Sequence, residues 1–267
     1  TGLTASITID PISPYGIADA ADSGNRIPIT GSVGGDVQDG DTVTLAINGN
    51  TYTGNVIRGI FSISVPGTDL VADPDFTIKA SVTTSSGGSS VTASDLEAYN
   101  VAPKTDDANA TANEDATSIP ITLTGSDADG AVVSFSLNDL PANGTLYSDA
   151  GLTTPTTTAT NYTATGNAVT LYFVPDSNWS GSTTFDYVAI DNDGLADVTA
   201  ATATITVNED NSDTTPDTNT VAEDNNATGN VLTNDESGNT GITSFVVNGD
   251  VTTYTAGQTA TIAGVGT

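Results

Sequence analysis

The 267 residues carry 33 acidic against 4 basic side chains, a formal net charge of −29, and include no Cys, His or Met. These absences exclude thiolate and imidazole nucleophiles and zinc sites, and the missing positive charge excludes nucleic-acid binding through a basic surface. No apolar run approaches ~18 residues, so the sequence predicts no membrane insertion, and the absence of Met predicts a fragment or a processed product.

Short alternating runs bounded by Gly, Pro, Asn and Asp recur along the chain, which predicts an all-β fold. The Asn48-Gly49 pair predicts a tight hairpin turn. Residues 1–102 contain seven runs, a number typical of an immunoglobulin-like sandwich. They lie at 5–10, 27–33, 42–48, 51–57, 60–65, 76–83 and 90–101.

Residues 103–208 predict a second β-sandwich, again with seven runs. These are 107–112, 118–124, 131–137, 144–148, 168–174, 183–190 and 197–207. Residues 209–267 form a linker and the first half of a third sandwich, since Glu114-Asp115 recurs as Glu223-Asp224 but only about four strands follow. We expect either that its missing strands come from elsewhere or that the third domain is cut short. The prediction is a row of tandem β-sandwiches arranged end to end.

Strand counting predicts which loops meet. In an antiparallel seven-stranded sandwich, the 2–3, 4–5 and 6–7 loops share one pole with the N-terminus, and the other loops share the opposite pole. The segments "SDADG" (126–130) and "DNDG" (191–194) are the 2–3 and 6–7 loops of the second domain. They should therefore converge beside the linker from the first domain.

Acidic residues accumulate at both predicted junctions. At the first junction the candidate ligands are Asp127, Asp129, Asp191 and Asp193, with Asp106 at the start of the second domain and Asp19, Asp22 and Asp69 from the facing pole of the first. The loop at 66–75 also supplies Asp73 and Asp75. At the second junction the candidates are Glu114, Asp115, Asn208, Glu209, Asp210, Asp235 and Glu236.

Calcium suits such clusters. Carboxylates within ~6 Å of each other repel unless a cation lies between them, and Ca²⁺ takes 6–8 hard oxygens in flexible geometry. Mg²⁺ is the weaker candidate because it demands a stricter octahedral shell. Each loop alone is equally compatible with ordinary turn chemistry, and neither has the spacing of an EF-hand. Asp36, Asp39 and Asp41 lie at the opposite pole of the first domain and are interpreted as a solvated loop.

The sequence indicates no catalytic residues. Paired carboxylates can hydrolyse glycosides, but only in a cleft with sugar-binding aromatics, and aromatic residues are few around these turns. Trp179, the single tryptophan, is compatible with sugar stacking or with a structural anchor, and we favour the anchor.

Longer patterns resemble known families. The series "NEDA", "GSDADG", "LPANGTLY", "YFVPDSNWSGSTTFDYVAIDNDG" and "ATITV" over 103–207 resembles a bacterial cadherin-like, VCBS-related repeat, and "VAEDNNATGNVLTNDESG" resembles the start of another VCBS-type repeat. Residues 1–101, with "ITGSVGGDVQDGDTVTLAINGNTYTG", resemble the immunoglobulin-like extender repeats of giant RTX adhesins. The resemblance to cadherin junctions implies that Glu114, the 127–129 pair and Asp193 bind junctional Ca²⁺.

The resemblance implies a non-enzymatic, calcium-rigidified extender of a secreted bacterial adhesin at the cell surface. Its partners would be neighbouring domains of the same long chain and an inserted or adjacent ligand-binding module, with the segment itself a monomer that contacts no nucleic acid. Two alternatives stay open: a lectin-like sandwich that grips sugar through loop-held calcium, and an accessory module of a secreted hydrolase.

Overall fold

The computed structural model describes residues 2–18, 21, 24–209, 244–246 and 252–255. These residues are organised in antiparallel sheets with one parallel strand pair, which confirms the predicted all-β fold. The chain divides into two compact units, Thr1–Asn208 and Glu209–Thr267. The first unit contains two separate hydrophobic cores, which we call the first and second sandwich. The exact domain boundaries stay a prediction.

The first sandwich consists of two sheets around one core. Its strands are β1 (Ala5–Ile9), β2 (Arg26–Gly35), β3 (Thr42–Ile47), β4 (Asn50–Asn55), β5 (Ile60–Pro66), β6 (Thr77–Ser86) and β7 (Ser89–Ala98). The sheet orders are β1-β2-β5 and β4-β3-β6-β7. The predicted hairpin turn between β3 and β4 is confirmed, with φ values of 49° at Asn48 and 72° at Gly49.

A short helix, α1 (Gly67–Val71), follows β5 where the sequence predicted only a loop. Pro66 precedes it and Asp69 lies in its first turn, where a negative charge favours the helix dipole. Leu70 is fully buried in the core of the first sandwich. The helix forms because this one apolar residue fixes the segment against the core, which turn-forming residues alone do not reveal.

The second sandwich contains nine strands among the described residues. They are β8 (Lys104–Asp106), β9 (Ala108–Asn113), β10 (Ile119–Ser126), β11 (Val132–Leu137), β12 (Gly144–Tyr147), β13 (Asn161–Thr163), β14 (Ala168–Pro175), β15 (Gly181–Asp191) and β16 (Ala201–Asn208). The sheet orders are β12-β14-β10-β8 and β13-β11-β15-β16-β9. The first strand predicted at 107–112 corresponds to β9, whereas β8 and β13 were not predicted, and the last strand starts at Ala201 rather than at 197.

The pairings fix the direction of each strand in the second sandwich. β10 is antiparallel to β8 and β14, β15 is antiparallel to β11 and β16, and β16 is parallel to β9. The last strand therefore runs in the same direction as the first. This agrees with the alternation assumed from the sequence, and it puts the β10–β11 and β15–β16 loops at the pole where the chain comes in from the first sandwich.

In the second unit, the described residues form one antiparallel pair, β17 (Ser244–Val246) with β18 (Thr253–Thr255). Across the described residues of both units, no helix has the length and apolar character needed to cross a membrane.

Candidate functional site

Two acidic loops of the second sandwich are bonded to each other. The backbone N–H of Asn192 donates to the carbonyl oxygen of Ala131 over 3.1 Å. In return, the N–H of Ala131 donates to the side-chain Oδ1 of Asn192 over 2.7 Å. The predicted proximity of the two loops is confirmed, although Asn192 itself was not among the candidates.

Gly130 allows the loops to approach this closely. A Cβ at this position would lie 2.2 Å from Asn192 Oδ1 and 2.7 Å from Asp127 Oδ2. The following residue is held from a third loop, since Asn167 Oδ1 accepts the N–H of Val132 over 3.0 Å. Gly130, Asn167 and Asn192 therefore fix the geometry around Asp127 without carrying any charge.

Asp191 ends β15 and is only 2% exposed. Its Oδ1 accepts the backbone N–H groups of Asp193 and Leu195 over 2.9 and 2.8 Å, which closes the turn. Its Oδ2 is buried and has no hydrogen-bond partner. A buried, unpaired carboxylate oxygen costs free energy, so a missing positive partner is indicated here.

Asp127 shows the same deficiency on both carboxylate oxygens, which are buried without a partner. Burial, together with the neighbouring carboxyl groups of Asp129 and Asp191, raises the pKa of Asp127 from 3.8 to about 7. Negative groups that raise the pKa of another carboxyl must lie close to it. The three side chains therefore form one acidic cluster, which we call the junction cluster (Asp127, Asp129 and Asp191).

Asp129 connects this cluster to the linker between the sandwiches. Its Oδ2 accepts the backbone N–H of Val101 over 2.9 Å. Val101 and Ala102 are 1% and 3% exposed, so the linker is enclosed by protein. The orientation of the linker relative to the second sandwich therefore depends on the Asp129 carboxylate.

The pole of the first sandwich that faces the second sandwich also contacts the linker. The hydroxyl of Tyr99 donates to the carbonyl of Leu70 over 2.9 Å and lies 3.2 Å from Asp73 Oδ2. Burial raises the pKa of Tyr99 well above its usual range, and the charges of Asp73, Asp75 and Asp129 raise it further. Asp73 and Asp129 thus flank the same short stretch, Tyr99–Val101.

The donor set suits a hard cation. Three buried carboxylate oxygens lack partners, and carboxylates are the oxygen ligands that Ca²⁺ prefers. Among the residues described, however, no three acidic side chains already have the arrangement of a formed metal centre. The two observations are compatible because carboxylates repel one another until a cation lies between them.

The structure also describes three other candidates of the first junction, Asp69, Asp106 and Asp193. Asp69 Oδ2 accepts hydrogen bonds from the Asn50 side chain, over 2.9 Å, and from the Tyr52 hydroxyl, so it is bound within the first sandwich. The carbonyl of Asp106 accepts the hydroxyl of Tyr187, and Asp193 is exposed. Their assignment as metal ligands stays a prediction.

At the other pole of the second sandwich, the N–H of Glu114 donates to the carbonyl of Asn208 over 3.0 Å, and Glu114 is 8% exposed. The first loop and the end of the last strand thus meet. Asp115 follows Glu114 in the sequence, and Glu209 follows Asn208. Five candidate ligands lie outside the described residues: Asp19, Asp22, Asp210, Asp235 and Glu236.

Trp179 is partly buried and packs against the core of the second sandwich. Its ring meets that of Phe173 edge-on, with centroids 6.4 Å apart, and a Cβ at Gly181 would lie 3.3 Å from the indole. The favoured interpretation of Trp179 as an anchor agrees with these contacts. A further buried acid, Asp197, accepts the N–H groups of Thr105 and Thr199 over 2.6 and 2.9 Å and ties the last loop to the first strand.

No protein-family model and no curated protein matches the chain. Among solved structures, an immunoglobulin-like domain of the M. primoryensis ice-binding adhesin is 34% identical over 38% of this chain and 98% of that domain, with a TM-score of 0.30. A structure from a 1.5-MDa bacterial ice-binding adhesin is 20% identical over 79% of this chain, with a TM-score of 0.38. A Ca²⁺-stabilised adhesin of an Antarctic bacterium, which binds ice, is 23% identical over 79% of this chain, with a TM-score of 0.37.

Domains of bacterial ice-binding adhesins are therefore structural neighbours of this chain, in line with the sequence resemblance. The chain spans 66% of the second of these structures and 50% of the third, less than two thirds of either. Because the TM-scores are low, the function of the junction must be inferred from its own residues.

Proposed function

We propose that this chain is a calcium-rigidified extender segment of a secreted bacterial cell-surface adhesin, which holds a ligand-binding module away from the cell for adhesion and biofilm formation. The observation that carries the proposal is the junction cluster. Its three unpartnered buried oxygens lie on Asp127 and Asp191, beside a third carboxylate that binds the linker.

A calcium ion would replace repulsion by shared coordination. Asp127 and Asp191 would supply the buried oxygens, and Asp129 would supply the oxygen that does not accept from Val101. Extracellular calcium modules typically have Kd values of about 10⁻⁴–10⁻³ M. Millimolar calcium outside the cell would then keep the site largely filled.

Rigidity would follow from the double role of Asp129. The same carboxylate accepts the Val101 N–H and belongs to the cluster that the ion would fix. Without the ion, Asp129 lies beside an acidic neighbour with unpaired oxygens. With the ion, its position becomes fixed, and so does the linker bound to it. Binding of one calcium ion would thus restrict the motion of the interdomain hinge.

An extender role also fits the remaining features of the chain. The sequence resembles repeats of RTX adhesins, and an excess of 29 negative charges keeps long arms soluble and apart. The partners would be the neighbouring domains of the same chain, in an extracellular location at the bacterial surface. Ligands at the second junction would include Glu114, Asp115, Asn208 and Glu209.

A lectin-like sandwich is less well supported. That function needs an exposed aromatic side chain beside the loop-held ion. Trp179 follows β14, in a loop at the pole opposite the junction cluster, and it packs against Phe173. Trp179 therefore provides no stacking surface beside the junction cluster.

Small-angle scattering and thermal melting with and without Ca²⁺ test the proposal. Wild-type protein should show a larger maximum dimension and a higher melting temperature in calcium than in chelator. The double variant Asp127→Ala/Asp129→Ala should respond less, and Asp39→Ala, an exposed change at the far pole of the first sandwich, should respond like wild type. An unchanged maximum dimension and melting temperature of the wild type in chelator would refute rigidification. Full calcium stoichiometry in the double variant would refute the site assignment.

A further inference from the structure

The strands at which the chain comes into and leaves the second sandwich are bonded to each other. β9 and β16 pair in parallel through six consecutive residue pairs, from Ala108–Ala203 to Asn113–Asn208. The short preceding strand, β8, adds three antiparallel pairs with β10. The first strand is therefore fixed to both sheets.

The first sandwich lacks this arrangement. β1 pairs with β2 through five residue pairs, and β7 pairs only with β6. β1 and β7 lie side by side, but among the strands described here no backbone ladder joins them. A side chain spans the seam instead, since Asp95 Oδ2 on β7 accepts the N–H of Ile9 on β1 over 2.8 Å.

Tension applied through the chain loads these two seams differently. Pulling moves the first strand toward one pole and the last strand toward the other. Where the two strands are parallel and bonded, all the hydrogen bonds of the ladder resist sliding together and must fail nearly at once. Where only a side chain joins them, the load passes to the shorter β1–β2 ladder. Forced unfolding follows the barrier to unfolding rather than the equilibrium stability.

We propose that the two sandwiches yield to force in a fixed order: the first sandwich unfolds at lower force, and the β9–β16 ladder makes the second sandwich the stronger link. The order arises from strand pairing and not from bound ions. It therefore goes beyond the calcium role proposed above. The order of unfolding can be measured in chelator, so a negative result for the unfolding order and a negative result for calcium rigidification can be told apart.

Single-molecule force spectroscopy of the full chain can assign each event. The sequence contains no Cys, so Asn109→Cys/Thr204→Cys would create a single disulfide between partner residues of β9 and β16. Neighbouring strands lie about 4.7–4.9 Å apart, within the Cα separation that a disulfide spans. When oxidised, this link carries the force past the second sandwich, so its unfolding event disappears. The reduced form of the same molecule is the matched control.

Asp95→Ala marks the other event, because it removes the side-chain bond across the β1–β7 seam. We expect the event that Asp95→Ala weakens to occur, in the wild type, at lower force than the event removed by the disulfide. Equal forces or the reverse order would overturn the proposal. If the cysteine pair prevents folding, Asp95→Ala decides alone: the event that it weakens must be the weaker of the two sandwich events, and weakening of the stronger event would refute the proposal.

Discussion

Replacing Asp127 by Asn should stabilise the second sandwich without calcium and leave it less stable than the wild type with calcium. In chelator at pH 8 the wild-type carboxylate is ionised, buried and unpartnered. The amide removes this charge, and its N–H groups can donate to the neighbouring Asp129 or Asp191. The same change replaces one of the two carboxylate oxygens that would bind the ion by an amide nitrogen, and it removes the negative charge that attracts the ion. Few other positions should produce such a reversal of sign.

The magnitude follows from the pKa of Asp127. The difference between 3.8 and about 7 sets an upper limit of about 4 kcal/mol on the cost of ionising this group. Because Asp127 as a whole residue is only half-buried, solvent screening reduces that limit to about 1–2 kcal/mol. At 10 mM Ca²⁺ and a Kd of about 10⁻⁴–10⁻³ M, the wild type should gain about 1.4–2.7 kcal/mol from binding. For a domain of this size, that gain raises Tm by roughly 5–20 °C.

Trp179 makes the assay specific, because the single tryptophan lies against the core of the second sandwich. Urea unfolding followed by its fluorescence gives the free energy of unfolding with chelator and with 10 mM Ca²⁺. Asp39→Asn is the control and should behave as the wild type in both buffers. If Asp127→Asn is less stable than the wild type in chelator, or gains as much from calcium, the inference of an unpaired ligand cluster is wrong.

Three further outcomes are expected. Without calcium, the stability of the wild-type second sandwich should fall as pH rises from about 4 to about 7, because the native state keeps the proton of Asp127 that the unfolded chain releases at its ordinary pKa; urea titrations at several pH values should show this slope, and a flat profile for the wild type would contradict it. Gly130→Ala should cost about 1–3 kcal/mol and weaken calcium binding in calorimetry, since its Cβ would meet Asn192 and Asp127, whereas Ala128→Ser on the same loop should change neither. Asp197→Ala should cost about 2–4 kcal/mol in urea unfolding because two backbone N–H groups lose their acceptor, and a loss below 0.5 kcal/mol would show that water replaces the carboxylate.

Strand direction could be predicted from the sequence because it depends only on counting. Alternating apolar residues and turn signals located most strands. Counting seven strands that alternate in direction then placed the loop at 126–130 beside the loop at 191–194. The junction cluster follows from that placement. Charge pattern named Asp127, Asp129 and Asp191 together with twelve other candidate ligands and did not separate them.

What could not be predicted depends on contacts between distant residues. Asn192 looks like a turn residue until its side chain is seen to accept from Ala131. Asp69 resembles a junction ligand in sequence, but Tyr52 and Asn50 on β4 bind it instead. The short strand β8 was not predicted either, because its three residues, 104–106, pair with a distant partner, β10. In each case the partner lies at least 17 residues away.

The parallel pairing of β9 with β16 has a consequence for length. Because the last strand runs in the direction of the first, the chain leaves the second sandwich at the pole opposite the one where it came in. Repeats built this way can be added one after another, and each adds its full height to a tether instead of folding back upon it. Unfolding of a sandwich would also lengthen the chain considerably. A compact 100-residue domain has a radius of gyration of about 13 Å, whereas the same residues in fully extended form span roughly 330–360 Å. A tether in which one sandwich unfolds under a sudden force therefore lengthens, and this lowers the force on its attachment point.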